Sequence, residues 1–378
     1  MKLKKILSVL LAASLVTATA LSNSSLVFAG GDTLAPRPGE QGYLGENQPV
    51  YHGHRAMDIL NWSPETDEYS DFMRAEVPLQ QRNEAFAATQ ANPQLSQEVA
   101  SLSLTEDYGN EFFNPYNYND DFAQYVFNFW QYLDYRASWH GVVTNPTPDS
   151  LFDPEAGWWE RAYEFGILNI PNPAYTNAAH KNGVQSLGCI FFPRTEHTDD
   201  LIFRDETGRF PAADKLVEIA KWYGFDGYFI NQEEDIDRSY VPLFREMLQY
   251  MRDQGIYIQW YDSATESGSV SYQNEFNSNN SGWIYHETQG RVADSIFLNY
   301  WYGGGALKHS KAHAESLGLD PYEVVYMGIE GGQWRFGTDI ESAYHAVDGN
   351  GKPYTSFAIW GSDWYHEQFH KSNHGRYQ

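Results

Sequence analysis

Four times between residues 171 and 329 a helical pattern runs into a glycine and is followed by a short apolar or aromatic run. Residues 171–182 stop at Gly183 before the run 184–192 (VQSLGCIFF). Residues 212–223, with apolar positions at a 3.6-residue period, stop at Gly224 before 226–231 (DGYFIN). Residues 241–254 carry proline at their second position and stop at Gly255 before 256–261 (IYIQWY). Residues 307–317 stop at Gly318 before 324–329 (VVYMGI). Glycine readily takes the left-handed conformation that closes a helix, and proline is tolerated in the first helical turn. A strand that returns through a helix runs parallel to its predecessor, so this repeat confines the chain to a parallel α/β architecture.

Counting every such run gives eight strands. The others are 55–62 (RAMDILNW), 133–139 (LDYRASW), 295–301 (SIFLNYW) and 356–360 (SFAIW). Eight strands in a chain of 378 residues predict a single (β/α)8 barrel over residues 50–378. Residues 63–128, rich in Asn, Gln, Tyr and Phe, read as a long decorated loop after the first strand. Residues 30–49, rich in Gly and Pro, read as a flexible lead-in. Ahead of them, the basic MKLKK, an apolar stretch to Leu21 and the small-x-small site Val27-Phe28-Ala29 have the form of a secretory signal peptide cleaved near Ala29. The expected location is therefore secreted and extracellular.

Charge and cysteine usage narrow the function. Fifty Asp and Glu against 25 Lys and Arg give a net charge of −25. Such a chain repels nucleic acid and anionic membranes. The single cysteine, Cys189, excludes an intramolecular disulfide framework and a multi-cysteine zinc or iron–sulfur site, and its apolar context predicts a buried, inert thiol. No cofactor or metal is expected. Tyr51-His52-Gly53-His54 is a two-histidine spacing with no third ligand, and Gly303-Gly304-Gly305 lacks the flanking pattern of a phosphate loop. Aromatics make up 16% of the chain, an inventory suited to stacking on sugars.

In a (β/α)8 barrel the chemistry gathers at the C-terminal ends of the strands. Here those ends read Asn231-Gln232-Glu233, Tyr261-Asp262, Asn299-Tyr300-Trp301, Glu330 and Trp360. Amides, carboxylates and large aromatics are the parts of a glycosidase. Glu233 is two residues past Asn231, so on an extended segment the two side chains share a face. A glutamate among aromatics has its proton affinity raised by desolvation, as a general acid requires. The same residues, with Glu234, Asp235 and Asp237, also read as a solvated acidic loop, and Glu234 is expected to point away from Glu233. Asn231 cannot serve as a second carboxylate. Its amide can hold an N-acetyl group of the substrate so that the acetamido oxygen attacks the anomeric carbon, the substrate-assisted route. Trp360 is expected to floor the reacting sugar. Glu330-Gly331-Gly332-Gln333-Trp334 reads equally as ligand contact and as structural hydrogen bonding, and Tyr272-Gln273-Asn274 as a sugar contact or a plain loop.

The segment Gly224-Phe225-Asp226-Gly227-Tyr228-Phe229-Ile230-Asn231-Gln232-Glu233 resembles the signature of glycoside hydrolase family 85, the endo-β-N-acetylglucosaminidases of the Endo-D and Endo-A kind. Phe129–Asp134 with Trp139-His140-Gly141, Thr176–Val184 with Leu187-Gly188 and Phe191-Phe192-Pro193, Trp260–Ser263 and Phe297–Trp301 resemble further blocks of that family in the same order. The resemblance implies a (β/α)8 barrel that hydrolyses the β-1,4 bond in the N,N'-diacetylchitobiose core of Asn-linked glycans with retention. It implies Glu233 as acid/base, Asn231 as the acetamide-orienting residue, Tyr261 as a partner of the reacting acetamido group and Trp301 beside the acceptor sugar. Asn299 and Glu330 are added as substrate contacts from their strand ends. N-linked glycoproteins are the expected partners, with no nucleic acid or membrane, for a monomer. Family members usually continue into β-sandwich domains, whereas this sequence stops at Gln378, so either this is a minimal member without those domains or the sequence is incomplete. Two alternatives remain. Glu233 and Glu330 could act as the carboxylate pair of a two-carboxylate retaining glycosidase, which needs them roughly 5–5.5 Å apart. The barrel could also be a catalytically inactive, secreted glycan-binding protein.

Overall fold

The computed structural model describes residues 54, 56–67, 70–71, 73–82, 96, 98–105, 127, 129–138, 167–192, 195–331 and 346–361. Eight parallel strands form one closed sheet: β1 Ser101–Thr105, β2 Tyr135–Ser138, β3 Gln185–Phe192, β4 Gly227–Gln232, β5 Tyr257–Tyr261, β6 Ser295–Leu298, β7 Val325–Glu330 and β8 Ser356–Trp360. Every strand pairs with the next in sequence, and β8 pairs with β1 through Leu104↔Trp360, which closes the barrel. The expected (β/α)8 barrel is the observed fold. A two-residue strand, Leu168–Asn169, adds antiparallel to β3 on its outer edge of the chain path.

The crossovers are the helices expected from the apolar period: α2 Pro173–Lys181, α4 Pro211–Tyr223, α5 Val241–Asp253 and α6 Ala306–Ser316. Thr195–Leu201 (α3) and Pro321–Val324 (α7) are shorter additions. Gly224 sits just past α4 at φ 76°, in the left-handed region where a side chain is costly.

Three sequence expectations are corrected by the fold. Residues 56–61 form a helix, α1 Ala56–Asn61, and not the first strand. Ala56 and Ile59 are buried while Met57 is exposed, the spacing of a helix face. The true first strand, Ser101–Thr105, lies inside what reads as the decorated loop. Its SLSLT sequence offers only two apolar side chains, Leu102 and Leu104, and both are fully buried by pairing on either side. The sixth strand is also shorter than expected and ends at Leu298.

Strand alternation sorts the core into two layers. Leu187, Cys189 and Phe191 of β3, Phe229 of β4, Tyr261 of β5, Phe297 of β6, Tyr326 of β7 and Trp360 of β8 pack together inside the barrel. Their neighbours Ile190, Phe192, Tyr228, Ile230, Ile258, Trp260, Ile296 and Leu298 face the helices. Behind β5, Trp260 stacks on Trp283 at 4.0 Å and 11°, with Phe244 of α5 edge-on to both. Inside, Gly328 of β7 leaves room for its neighbour: a Cβ there would lie 2.6 Å from the Phe297 ring and 2.1 Å from the Leu298 carbonyl oxygen.

The start of each even strand from β2 to β6 carries a register clamp. Asp134, Asp226 and Asp294 immediately precede β2, β4 and β6. Their carboxylates accept the backbone N–H of Ser101 (2.8 Å), Ser186 (2.7 Å) and Ile258 (2.8 Å) in the preceding strands. Each is paired with a cationic side chain, Arg82, His180 at 2.9 Å and Arg252 at 2.7 Å. A charge-assisted hydrogen bond of this kind stabilises by about 1.5–3 kcal/mol, and it resists a one-residue slip that would turn every side chain to the wrong face.

Candidate active site

The alternation of β4 delivers Asn231 and Glu233. Phe229 faces the barrel interior, so Asn231 and Glu233, two and four residues on, follow the same face to the C-terminal mouth. Asn231 is fully buried and Glu233 half-buried. The Asn231 Nδ2 donates to Glu233 Oε2 at 2.8 Å. The Asn231 Oδ1 is buried and, among the described residues, accepts no hydrogen bond. Gln232 faces the opposite way. It donates through Nε2 to the Glu234 carbonyl at 2.9 Å, and its own carbonyl accepts the Ser263 hydroxyl, which ties the end of β4 to the segment after β5.

A second partner reaches Glu233 from that segment. The Tyr272 hydroxyl donates to Glu233 Oε1 at 2.7 Å, and its ring lies 5.9 Å from that of Tyr261. Burial, then the nearby Glu233 charge, push the Tyr272 phenol well above the ordinary tyrosine range, so it remains protonated. The Tyr261 phenol is likewise held well above that range, chiefly by burial. Tyr261 donates to Asn299 Oδ1 at 2.9 Å, and Asn299 donates through Nδ2 to Asn274 Oδ1 at 2.7 Å. The same Asn274 oxygen accepts the Trp301 backbone N–H at 3.0 Å. Asn274 therefore joins the β5 and β6 loops. It does so at φ 55°, the only positive φ outside glycine among the described residues.

Beneath this loop lies Asp262. Its carboxylate accepts the N–H groups of Asn274 (2.7 Å), Gln273 (3.3 Å) and Asn299 (3.4 Å), and the Asn280 side-chain amide (2.9 Å). Burial pushes the Asp262 carboxyl up to about 7, against the pull of those donors. Four donors on one buried carboxylate make it the anchor of residues 273–280.

The residues singled out in the sequence take the following places. Tyr261, Asn299 and Asn231 are buried at the ends of adjoining strands; Tyr261 is hydrogen-bonded to Asn299, and Asn231 to Glu233. Glu330 and Trp360 are buried and paired in register across β7 and β8, and Trp360 stacks on Tyr300 at 5.9 Å and 29°. The Trp301 side chain is 61% exposed, beyond the end of β6. Cys189 is buried in the barrel. His54 lies 3.7 Å from Asp67, and residues 51–53 fall outside the described residues, as do Trp139, His140 and 332–334. Gly303 to Gly305 form the turn into α6. The positioning roles of Asp262 and Asn274 are missed in the sequence, where Asp262 reads only as part of a strand end and Tyr272-Gln273-Asn274 as a sugar contact or a plain loop. The available signal was an Asx-rich loop directly after a strand end, since asparagine is among the few residues that tolerate a left-handed turn.

Comparison with known proteins follows this geometry. The profile described as glycosyl hydrolase family 85 matches residues 108–378. The cytosolic endo-beta-N-acetylglucosaminidase of Danio rerio is 27% identical over 344 residues, covering 86% of this chain and 41% of that protein. Its namesake from Gallus gallus is 25% identical over 366 residues, covering 93% and 44%. Among solved structures, the Endo-D glycoside hydrolase domain of Streptococcus pneumoniae R6 superposes with a TM-score of 0.65 at 24% identity, covering 83% of this chain and 47% of that one. That last likeness is one of fold. The chain spans less than half the length of the curated relatives it matches. Those relatives are named cytosolic, and this overturns the secreted, extracellular location expected from the N-terminal residues.

Proposed function

Because this chain belongs to glycosyl hydrolase family 85, we propose that it is an endo-β-N-acetylglucosaminidase that cleaves the GlcNAc-β-1,4-GlcNAc bond of the chitobiose core of N-linked glycans by substrate-assisted catalysis. The observation that carries this reading is the state of the Asn231 amide. Its Nδ2 is engaged by Glu233, which leaves Oδ1 as a buried acceptor with no donor among the described residues. A buried acceptor without a donor costs about 1–3 kcal/mol, so a ligand N–H placed there recovers that energy. The N–H of a substrate acetamido group supplies it and turns the acetamido carbonyl oxygen toward the anomeric carbon.

The steps then balance as follows. Glu233 gives its proton to the oxygen of the leaving GlcNAc as the C1–O bond breaks and its electron pair passes to that oxygen. The acetamido carbonyl oxygen bonds to C1, and the positive charge spreads over the resulting oxazolinium ring. Water then bonds to C1 from the opposite side while the Glu233 carboxylate takes its proton. The C1–O bond to the acetamido group breaks, and the N-acetyl group is restored. Two inversions at C1 give retention. Tyr261 and Asn299 shape the wall beside the reacting sugar, and Trp301 offers an exposed ring to the acceptor side. Glu330 and Trp360 are read as further substrate contacts.

The test is intact mass spectrometry of a glycoprotein with one high-mannose chain, incubated with the protein and with its Glu233→Gln variant. The reading expects loss of the glycan down to a single GlcNAc, slowed by about 10²–10⁴-fold in the variant. Cleavage of sugars that lack an N-acetyl group would overturn substrate assistance in favour of a two-carboxylate route. Tight glycan binding without release of product from high-mannose or trimmed chains would overturn the enzyme reading altogether.

A further inference from the structure

The two oxygens of the Glu233 carboxylate have different neighbours. Oε2 receives the Asn231 Nδ2–H, a group that can only donate. Oε1 receives the Tyr272 hydroxyl, which can donate or accept. A protonated carboxyl oxygen keeps some acceptor capacity but accepts much more weakly than a carboxylate oxygen. Oε2 is therefore suited to stay unprotonated, with Asn231 fixed upon it. Oε1 can gain and lose a proton while its partner turns to match. Resting on the reading of Glu233 as acid/base, we propose that Tyr272 is a positioning residue of the reaction, which places the transferable proton on Glu233 Oε1 and stabilises the carboxylate formed when that proton leaves.

The surroundings support a direct effect of Tyr272 on Glu233. Among the described residues, the titratable groups beside this pair are Tyr261, the ring neighbour, and Asp262, beneath the loop that carries Tyr272. Glu234 and Asp235 follow in the chain. The Tyr272 hydroxyl and the Asn231 amide each donate to one oxygen of the Glu233 carboxylate. Tyr272 is held on both sides in the chain: the preceding Ser271 N–H donates to the Ser263 carbonyl at 2.7 Å, and on the other side its own carbonyl accepts the Asn274 Nδ2 at 3.2 Å while Asp262 pins Gln273 and Asn274. The phenol arrives at Glu233 already ordered, so little entropy is lost in forming the bond.

The test compares the wild type with Tyr272→Phe, measuring kcat and KM for release of a high-mannose chain from a glycopeptide across pH 4–9. Far-UV circular dichroism and Tm on both proteins establish folding, and phenylalanine keeps the ring against Tyr261. A hydrogen bond to a charged group in a partly exposed site corresponds to about one pH unit. The expected result is a basic limb of the rate profile moved up by about that amount, with kcat at the optimum reduced roughly fivefold to thirtyfold and KM changed less than twofold. A profile that superimposes on the wild type would overturn the inference and leave Tyr272 as a structural residue. A rise in KM alone would overturn it and make Tyr272 a sugar contact. If the folded wild type releases no glycan from high-mannose or trimmed glycopeptides, the assignment of Glu233 fails and takes this inference with it.

Discussion

Asn274 is the point where conformation and hydrogen bonding can be separated by experiment. Its side-chain oxygen accepts from Asn299 Nδ2 at 2.7 Å and from the Trp301 N–H at 3.0 Å, and its backbone sits at φ 55°. Asn274→Asp keeps an acceptor oxygen and tolerance for the left-handed region, but loses the bond that Nδ2 donates to the Tyr272 carbonyl. It is expected to lose about 1 kcal/mol, the worth of one hydrogen bond. Asn274→Gly keeps the backbone but loses the donated bond and both accepted ones. At about 1 kcal/mol each, the loss is about 3 kcal/mol. Asn274→Ala loses the same bonds and forces a Cβ into the left-handed region, at a cost of about 1–2 kcal/mol. Glycine's greater freedom in the unfolded chain takes back about 0.5–1 kcal/mol of that difference. The net expectation is that alanine is less stable than glycine by about 1 kcal/mol. Urea unfolding followed by tryptophan fluorescence measures all three, with glycan release measured alongside. Because Asn274 orients Asn299, and Asn299 accepts from Tyr261, kcat/KM should fall more for Gly and Ala than for Asp. Equal stability of Gly and Ala would refute the conformational argument. An aspartate variant as damaged as glycine would refute the acceptor argument.

Two further outcomes follow from the packing. Burial raises the Asp67 carboxyl, but hydrogen bonds from His54, Tyr223 and Trp62 outweigh it and bring it to about 2. A carboxyl lowered in the folded state contributes stability that is present above its unfolded value of 3.8 and lost as pH falls through 2. The contribution is about 2 kcal/mol. Urea midpoints should decline between pH 4 and pH 2 in the wild type, with a shallower decline in Asp67→Asn. Trp283 is fully buried, stacked on Trp260 and met edge-on by Phe244, so Trp283→Ala should destabilise by about 3–5 kcal/mol and Trp283→Phe by clearly less. Equal losses by thermal unfolding would show that the ring contact is not what holds this face of the barrel.

What the chain determines by itself is whatever depends on neighbours a few residues away. The apolar period of Pro211–Tyr223 and Val241–Asp253, the glycines that end them and the apolar runs of β3 to β5 all follow from such local spacing. So does the pairing of Asn231 with Glu233, because two residues on a strand return to the same face. Contacts between distant segments decide the rest. Ser101–Thr105 is the first barrel strand only because β2 and β8 flank it, and the helix at Ala56–Asn61 shows that an apolar run does not reveal its period over so few residues. Tyr272 meets Glu233 across 39 positions of sequence, and Asn274 meets Asn299 across 25. Barrel closure brings those loops to one mouth, and a buried carboxylate, Asp262, holds them there. Local spacing can nominate an acid, but the groups that control its proton are selected by which strand ends the closed sheet places side by side.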